Sequence, residues 1–130
     1  TSEQAFMWCK AKTFNDEESA QAILKATDPA IAKKLGRLVK NYVDDLWDQV
    51  RYQYMVDVNF YKYTQDLVLY NRIIDTRFDG KTFVEASPSD HIWGICLREN
   101  DPKADDARNW KGQNLLGFAL TEVRNKILQL

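Results

Sequence analysis

Residues Asn15 to Lys40 read NDEESAQAILKATDPAIAKKLGRLVK, and this stretch decides the fold class. It carries two helix starts in succession. Asn15 followed by Glu18 has the spacing of a capping box, with Ile23 and Leu24 as the buried part of the helix it opens. Asp28-Pro29 is a cap followed by proline at the first helical position, leading into Ile31, Leu35 and Leu38. Working outward, Phe6, Met7, Cys9 and Phe14 recur at near-helical spacing between Ser2 and Phe14. On the other side, Leu46, Trp47, Val50, Tyr54 and Met55 predict a longer helix from about Asp44 into the Tyr52–Tyr63 region. Thr64 is placed to cap another through Leu67, Val68, Ile73 and Ile74. Leu116, Leu120, Val123 and Ile127 predict a closing helix within Asn114–Leu130. Only the middle of the chain breaks the pattern. Asp79-Gly80 signals a turn, Lys81–Glu85 reads as a short β segment, and Ile92–Leu97 is a second short apolar run. Arg98 to Arg108 is dense in charge and predicts an exposed, mobile loop. The expectation is a mainly α, single compact helical domain over residues 1–130 with a small β element.

The chain has 130 residues, 45% apolar and 28% charged, the balance of a globular domain able to bury one core. Eighteen basic and nineteen acidic side chains leave a net charge of −1. That argues against a protein held on nucleic acid mainly by a basic surface. No apolar run approaches the roughly 18 residues a membrane span needs. Cys9 and Cys96 lack metal-ligand spacing, and His91 is the single histidine, so a zinc site or a Ser-His-Asp triad is not expected. The expectation is no metal, no cofactor and a reducing, cytoplasmic setting.

Three constellations carry chemistry. Glu3, Phe6, Lys10 and Phe14 share one helix face, putting an acid and an amine about 10.5 Å apart along the axis, a gap that suits a small ligand. The plainer reading is a carboxylate favoured at a helix start and a lysine that snorkels. Asp90-His91-Ile92-Trp93-Gly94 offers a carboxylate beside a flat stacking surface, with a glycine permitting close approach. Its plainer reading is a turn Asp, a core Trp and a backbone glycine, with His91 a bystander. Trp110-Lys111-Gly112-Gln113-Asn114-Leu115-Leu116-Gly117 opens a helix whose free N–H groups favour phosphate or another anion. An N-capping Asn and a glycine for close helix packing explain it equally well. Lys33, Lys34, Arg37 and Lys40 read as a solvated basic face, and Tyr52, Tyr54, Tyr61 and Tyr63 as packing tyrosines.

Taken in order, these segments resemble the NADAR, or YbiA-like, family. The resemblance rests on Ser2-Glu3-Gln4-Ala5-Phe6-Met7 with Lys10-Ala11, Ala32–Arg37, Trp47, Val84–Ser87, Asp90–Gly94, Trp110–Gly117 and Glu122–Arg124. It covers the chain from Thr1 to about Leu128. It implies a mainly helical fold and metal-free hydrolysis of a ribose C1′–N bond. The implied substrates are ADP-ribosylated guanine in nucleic acid, or phosphorylated ribosyl-amines such as early intermediates of riboflavin synthesis. It assigns Glu3, Lys10 and Asp90 as catalytic, and Trp93, Gly94, Gly112 and Asn114 as substrate-binding. Glu3 or Asp90 would serve as acid or base; Lys10 would attack C1′ or hold a phosphate. The chain departs from the family at Gln4, Ala5 and Trp8, and it lacks the β segment usual before the first helix. The competing reading is a module that binds ADP-ribose or a nucleotide without cleaving it.

Overall fold

The chain folds into six α-helices, and the computed structural model describes every residue from Thr1 to Leu130. They are α1 (Ser2–Thr13), α2 (Glu17–Lys25), α3 (Pro29–Gly36), α4 (Asp44–Gln65), α5 (Leu67–Ile73) and α6 (Leu115–Leu128). Two compact units result, Thr1–Val58 and Asn59–Leu130, with α4 running through the division.

In the first unit, Asn15 ends α1 and does not begin α2. It takes the left-handed conformation (φ 56°), so that Asp16 N–H reaches Ala11 O at 2.9 Å and Asn15 N–H reaches Lys12 O at 3.2 Å. This is the Schellman closure, which Asn tolerates better than most residues. The cap of α2 therefore passes to Asp16, whose carboxylate accepts from the Ser19 N–H (3.1 Å), the Ser19 hydroxyl (2.6 Å) and the Lys40 N–H (2.8 Å). Asp28 caps α3 as expected, accepting from Ala30 N–H at 2.7 Å with Pro29 at the first position. The amide of Gln4 donates to Ile23 O, Leu24 O and Ala26 O at 2.9–3.1 Å, closing the C-terminal end of α2 from α1. Phe6, Ala11, Phe14, Ala20, Ile23, Ala32 and Trp47 form the buried interior.

In the second unit, α5 is capped by Asp66 rather than Thr64, whose hydroxyl instead donates to Phe60 O inside α4. Ile95, Leu97, Ala119, Val123 and Ile127 are buried together with Arg124. The Arg124 guanidinium is satisfied by Ile73 O (3.0 Å), Asp75 O (3.3 Å) and the Asp79 carboxylate. The small β element does not form: no residue is in a strand. Glu85 O accepts from Ile95 N–H, but that bond is not continued into a ladder. The next polar backbone groups turn to a side chain, Asn114, and Cys96 at φ 58° breaks the extended run. The turn at Gly80 (φ 71°) is present, and Arg98–Arg108 contains two short 3-10 helices, Pro102–Asp105 and Ala107–Asn109.

Candidate functional site

In the first unit, α1 presents Glu3 and Lys10 two turns apart. Glu3 is partly exposed, and its carboxylate takes part in no hydrogen bond or ion pair. The Lys10 ammonium lies over the Tyr42 ring, 4.7 Å from its centroid, and 6.0 Å from that of Trp47. Those rings belong to one aromatic cluster: Phe14 meets Tyr42 edge-on at 5.3 Å, and Phe6 tilts against Trp47 at 5.2 Å. Burial lowers the proton affinity of Lys10, Arg37 lowers it further, and Asp44 partly restores it. Tyr42 is the opposite case. Its pKa is pushed up to about 12, by desolvation first and then by the hydrogen bond its hydroxyl donates to Asp44. Sequence reasoning missed Tyr42 and Asp44. The available signal was an aromatic two residues ahead of an acid that opens a long helix.

In the second unit, Asp90, Trp93, Gly94, Gly112 and Asn114 are brought together by backbone. Asp90 Oδ1 accepts from the N–H groups of Ile92 (3.0 Å) and Trp93 (2.8 Å), fixing the turn that carries the tryptophan. Gly112 crosses so near this loop that a Cβ would lie 2.2 Å from Gly94 O. A Cβ on Gly94 would lie 2.9 Å from Glu85 O and 3.0 Å from Asp90 O. Asn114 is fully buried. Its Oδ1 accepts from Glu85 N–H at 2.9 Å, and its Nδ2 donates to Phe83 O at 3.1 Å. It holds the N-cap position of α6 in the left-handed conformation (φ 54°) and makes no side-chain cap bond. The free N–H groups expected at this helix start are already used. Gln113, Asn114, Leu115 and Leu116 donate to His91, Gly94, Ile92 and Trp93 carbonyls at 2.9–3.2 Å. An anion therefore has little left to bind there, while the packing role read for the glycines is present: a Cβ on Gly117 would lie 2.2 Å from Phe83 O.

Thr82 and the segment from Val84 to Ala86 form one wall of an open groove of about 880 Å³. Glu85, Glu99, Asp105, Trp110 and Phe118 line it. The Trp110 indole N–H donates to Ala104 O at 2.8 Å, which fixes its ring against the loop. Three carboxylates and no basic side chain make this groove a poor phosphate site.

The sequence model of the NADAR domain matches residues 1–128, nearly the whole chain. The chain belongs to the NADAR family. The chain is similar to protein irg-1 of Caenorhabditis elegans, 40% identical over 128 residues. N-glycosidase R617 of Acanthamoeba polyphaga mimivirus is 35% identical over 126 residues, covering 97% of this chain and 73% of the relative. N-glycosidase YbiA of Escherichia coli (strain K12) is 28% identical over 127 residues, covering 98% and 69%. The match to irg-1 covers 97% of this chain but only 59% of that protein's length. The NADAR match runs through both units, so all seven residues assigned from the motifs lie inside it. No helix is long and apolar enough to cross a membrane, and no three His, Cys, Asp or Glu side chains are grouped to hold a metal ion.

Proposed function

We propose that this NADAR chain hydrolyses the bond between ribose C1′ and a nitrogen, on ADP-ribosylated guanine or on a phosphorylated ribosyl-amine of the riboflavin-precursor type. The observation that carries the reading is Lys10: an amine over an aromatic face, with its proton affinity lowered by burial, at the position the family motif marks. A neutral amine is a nucleophile, and desolvation beside another cation is how a lysine becomes one. The glycosidic nitrogen first expels O4′, which takes up a proton, leaving C1′ as an iminium carbon. Lys10 Nζ then adds to C1′ and gives up a proton. The substrate nitrogen departs with a proton from Glu3, and the Lys10 Schiff base remains. Water adds to C1′, returning the amine and releasing ribose as the aldehyde that recloses. Asp90, Trp93, Gly94, Gly112 and Asn114 contribute a fixed loop: Trp93 as a stacking surface, and Gly112 and Asn114 through the backbone they hold.

Incubation with each substrate class and borohydride tests the proposal. Release of the base or aminopyrimidine, with an adduct on Lys10 that is lost in Lys10→Arg, is the expected result. Adduct formation should rise with pH and reach its midpoint below the ordinary lysine value of 10.5, because the neutral amine gains as pH passes the lowered pKa. Binding without product would overturn the glycosidase reading in favour of a non-catalytic module.

A further inference from the structure

In the short connection from α3 to α4, the residues from Val39 to Tyr42 are each held in place by something different. Val39 is buried. The Lys40 N–H donates to the Asp16 carboxylate at 2.8 Å, which ties the connection to the junction between α1 and α2. Asn41 takes the left-handed conformation at φ 64°, a reversal that asparagine accepts more readily than most residues. Tyr42 follows that reversal, and its ring meets Phe14, the residue that ends α1, edge-on at 5.3 Å. Phe14 is itself buried, so the ring rests on a rigid partner. The Lys10 side chain ends over this ring, with Nζ 4.7 Å from the centroid. Trp47, packed against Phe6, Phe14 and Tyr54, stands 6.0 Å from the same Nζ. The amine thus sits in a corner between two rings. Trp47 belongs to the core, whereas Tyr42 is 42% exposed. With that much of the residue left in water, the contact of Tyr42 with the amine is not a by-product of core packing.

We propose that Tyr42 is a positioning residue for Lys10, its ring serving as the seat from which the amine reaches C1′. The inference deepens the reading of Lys10 as a nucleophile and rests on it. A lysine amine rides on a flexible alkyl stem and, left in water, sweeps a wide volume. The face of an aromatic ring attracts an ammonium and so narrows that volume. It does this without a hydrogen bond. When the ammonium gives up its proton, no bond has to break before Nζ turns to the carbon. A carboxylate in the same place would hold the amine as well, but it would also favour the protonated form that cannot attack. Placement matters because attack needs Nζ about 3–3.5 Å from C1′ and aligned with it.

The test compares Tyr42→Phe, which keeps the ring face, with Tyr42→Leu, which removes it. In the full chain labelled with ¹³C-lysine, the Lys10 Cε methylene protons, assigned with Lys10→Arg, should resonate upfield of their position in the unfolded chain, because they lie over a ring. That displacement should persist in Tyr42→Phe and shrink in Tyr42→Leu. With saturating ribosyl substrate, single-turnover formation of the borohydride-trapped adduct on Lys10 should fall by up to about 10²-fold in Tyr42→Leu and hold in Tyr42→Phe. The half-saturating concentration should stay put in both, because the ring holds the amine and not the substrate. Thermal melting checks the fold. Should Tyr42→Leu unfold, Tyr42→Met removes the ring and asks the same question. A methylene signal indifferent to the ring, an unchanged adduct rate in Tyr42→Leu, or an equal loss in Tyr42→Phe would overturn the inference. So would a rise in half-saturation alone, which would make Tyr42 a substrate contact. The outcome is separable from the glycosidase reading. A chain that forms no adduct with either ribosyl substrate sinks that reading, while a methylene signal that follows the ring still upholds the seat. Adduct formation at the same rate in Tyr42→Leu does the reverse.

Discussion

The motif residues of the first unit and those of the second are held in opposite ways. The Glu3 carboxylate takes part in no hydrogen bond, and the Lys10 ammonium rests on aromatic faces rather than on a hydrogen-bonding partner. Asp90 and Asn114 spend their side chains on backbone N–H and C=O groups, and Gly94 and Gly112 exist to let two loop segments touch. The same kind of sequence signal, a polar residue in a family motif, thus marks side chains without hydrogen-bonding partners in one unit and side chains that hold backbone in the other. An unused carboxylate or amine costs stability where it is partly buried, and it remains only where something else needs it. A used one is the ordinary way that a loop without strands is kept in place.

That contrast can be broken by measuring activity and stability together. Glu3→Gln should lower turnover of the ribosyl substrate by about 10²–10⁴-fold while the melting temperature stays put. A fall in both would move Glu3 to the architectural side. Asn114→Ala should do the opposite first, costing roughly 2–5 kcal/mol in denaturant unfolding, because Phe83 O and Glu85 N–H lose their buried partner together. Intact stability with lost activity would make Asn114 a substrate contact. Asp16→Asn sharpens the comparison inside the first unit, where Asp16 is a carboxylate already committed to backbone. Its pKa is held below 3.8, chiefly by the Lys40 N–H and then by the Ser19 hydroxyl and N–H. The stabilisation it gives is complete above that value and is lost as pH falls through the lower folded value. The melting-temperature gap between wild type and Asp16→Asn should therefore narrow in acid and stay constant from about pH 5 upward. His91→Ala should be the smallest effect, within about 0.5 kcal/mol and without change in turnover. His91 is exposed, and its bond from Gln113 N–H uses only the backbone carbonyl.

How much of this was legible in the sequence follows from where the stabilising contacts lie. Asp28-Pro29 and the periodicity of α4 and α6 were read correctly, because a cap and a buried stripe act within a few residues of themselves. Asn15 was misassigned by one position because the same residue type ends helices in the left-handed region and begins them by side-chain capping. The β element was misread for a longer-range reason. Phe83, Val84 and the Ile92–Leu97 run have strand-like composition, yet their backbone partners are an asparagine side chain and the first turn of α6, both distant in sequence. The N–H groups at that turn are taken up by the carbonyls of His91 to Gly94, which are also distant in sequence. Glu3 and Lys10 are singled out by their shared face, whereas the Tyr42 and Trp47 rings meet Lys10 only through packing between segments distant in sequence.

The amide of Gln4 deserves a mechanical interpretation. First turns of helices ordinarily fray, and a carboxylate mounted on one would sample many positions. By bonding to three carbonyls at the end of α2, Gln4 bolts the turn that carries Glu3 to a neighbouring helix. The backbone that carries Glu3 is thereby held in place in advance, so if Glu3 is the acid of the proposed reaction, binding energy need not be diverted to ordering that turn.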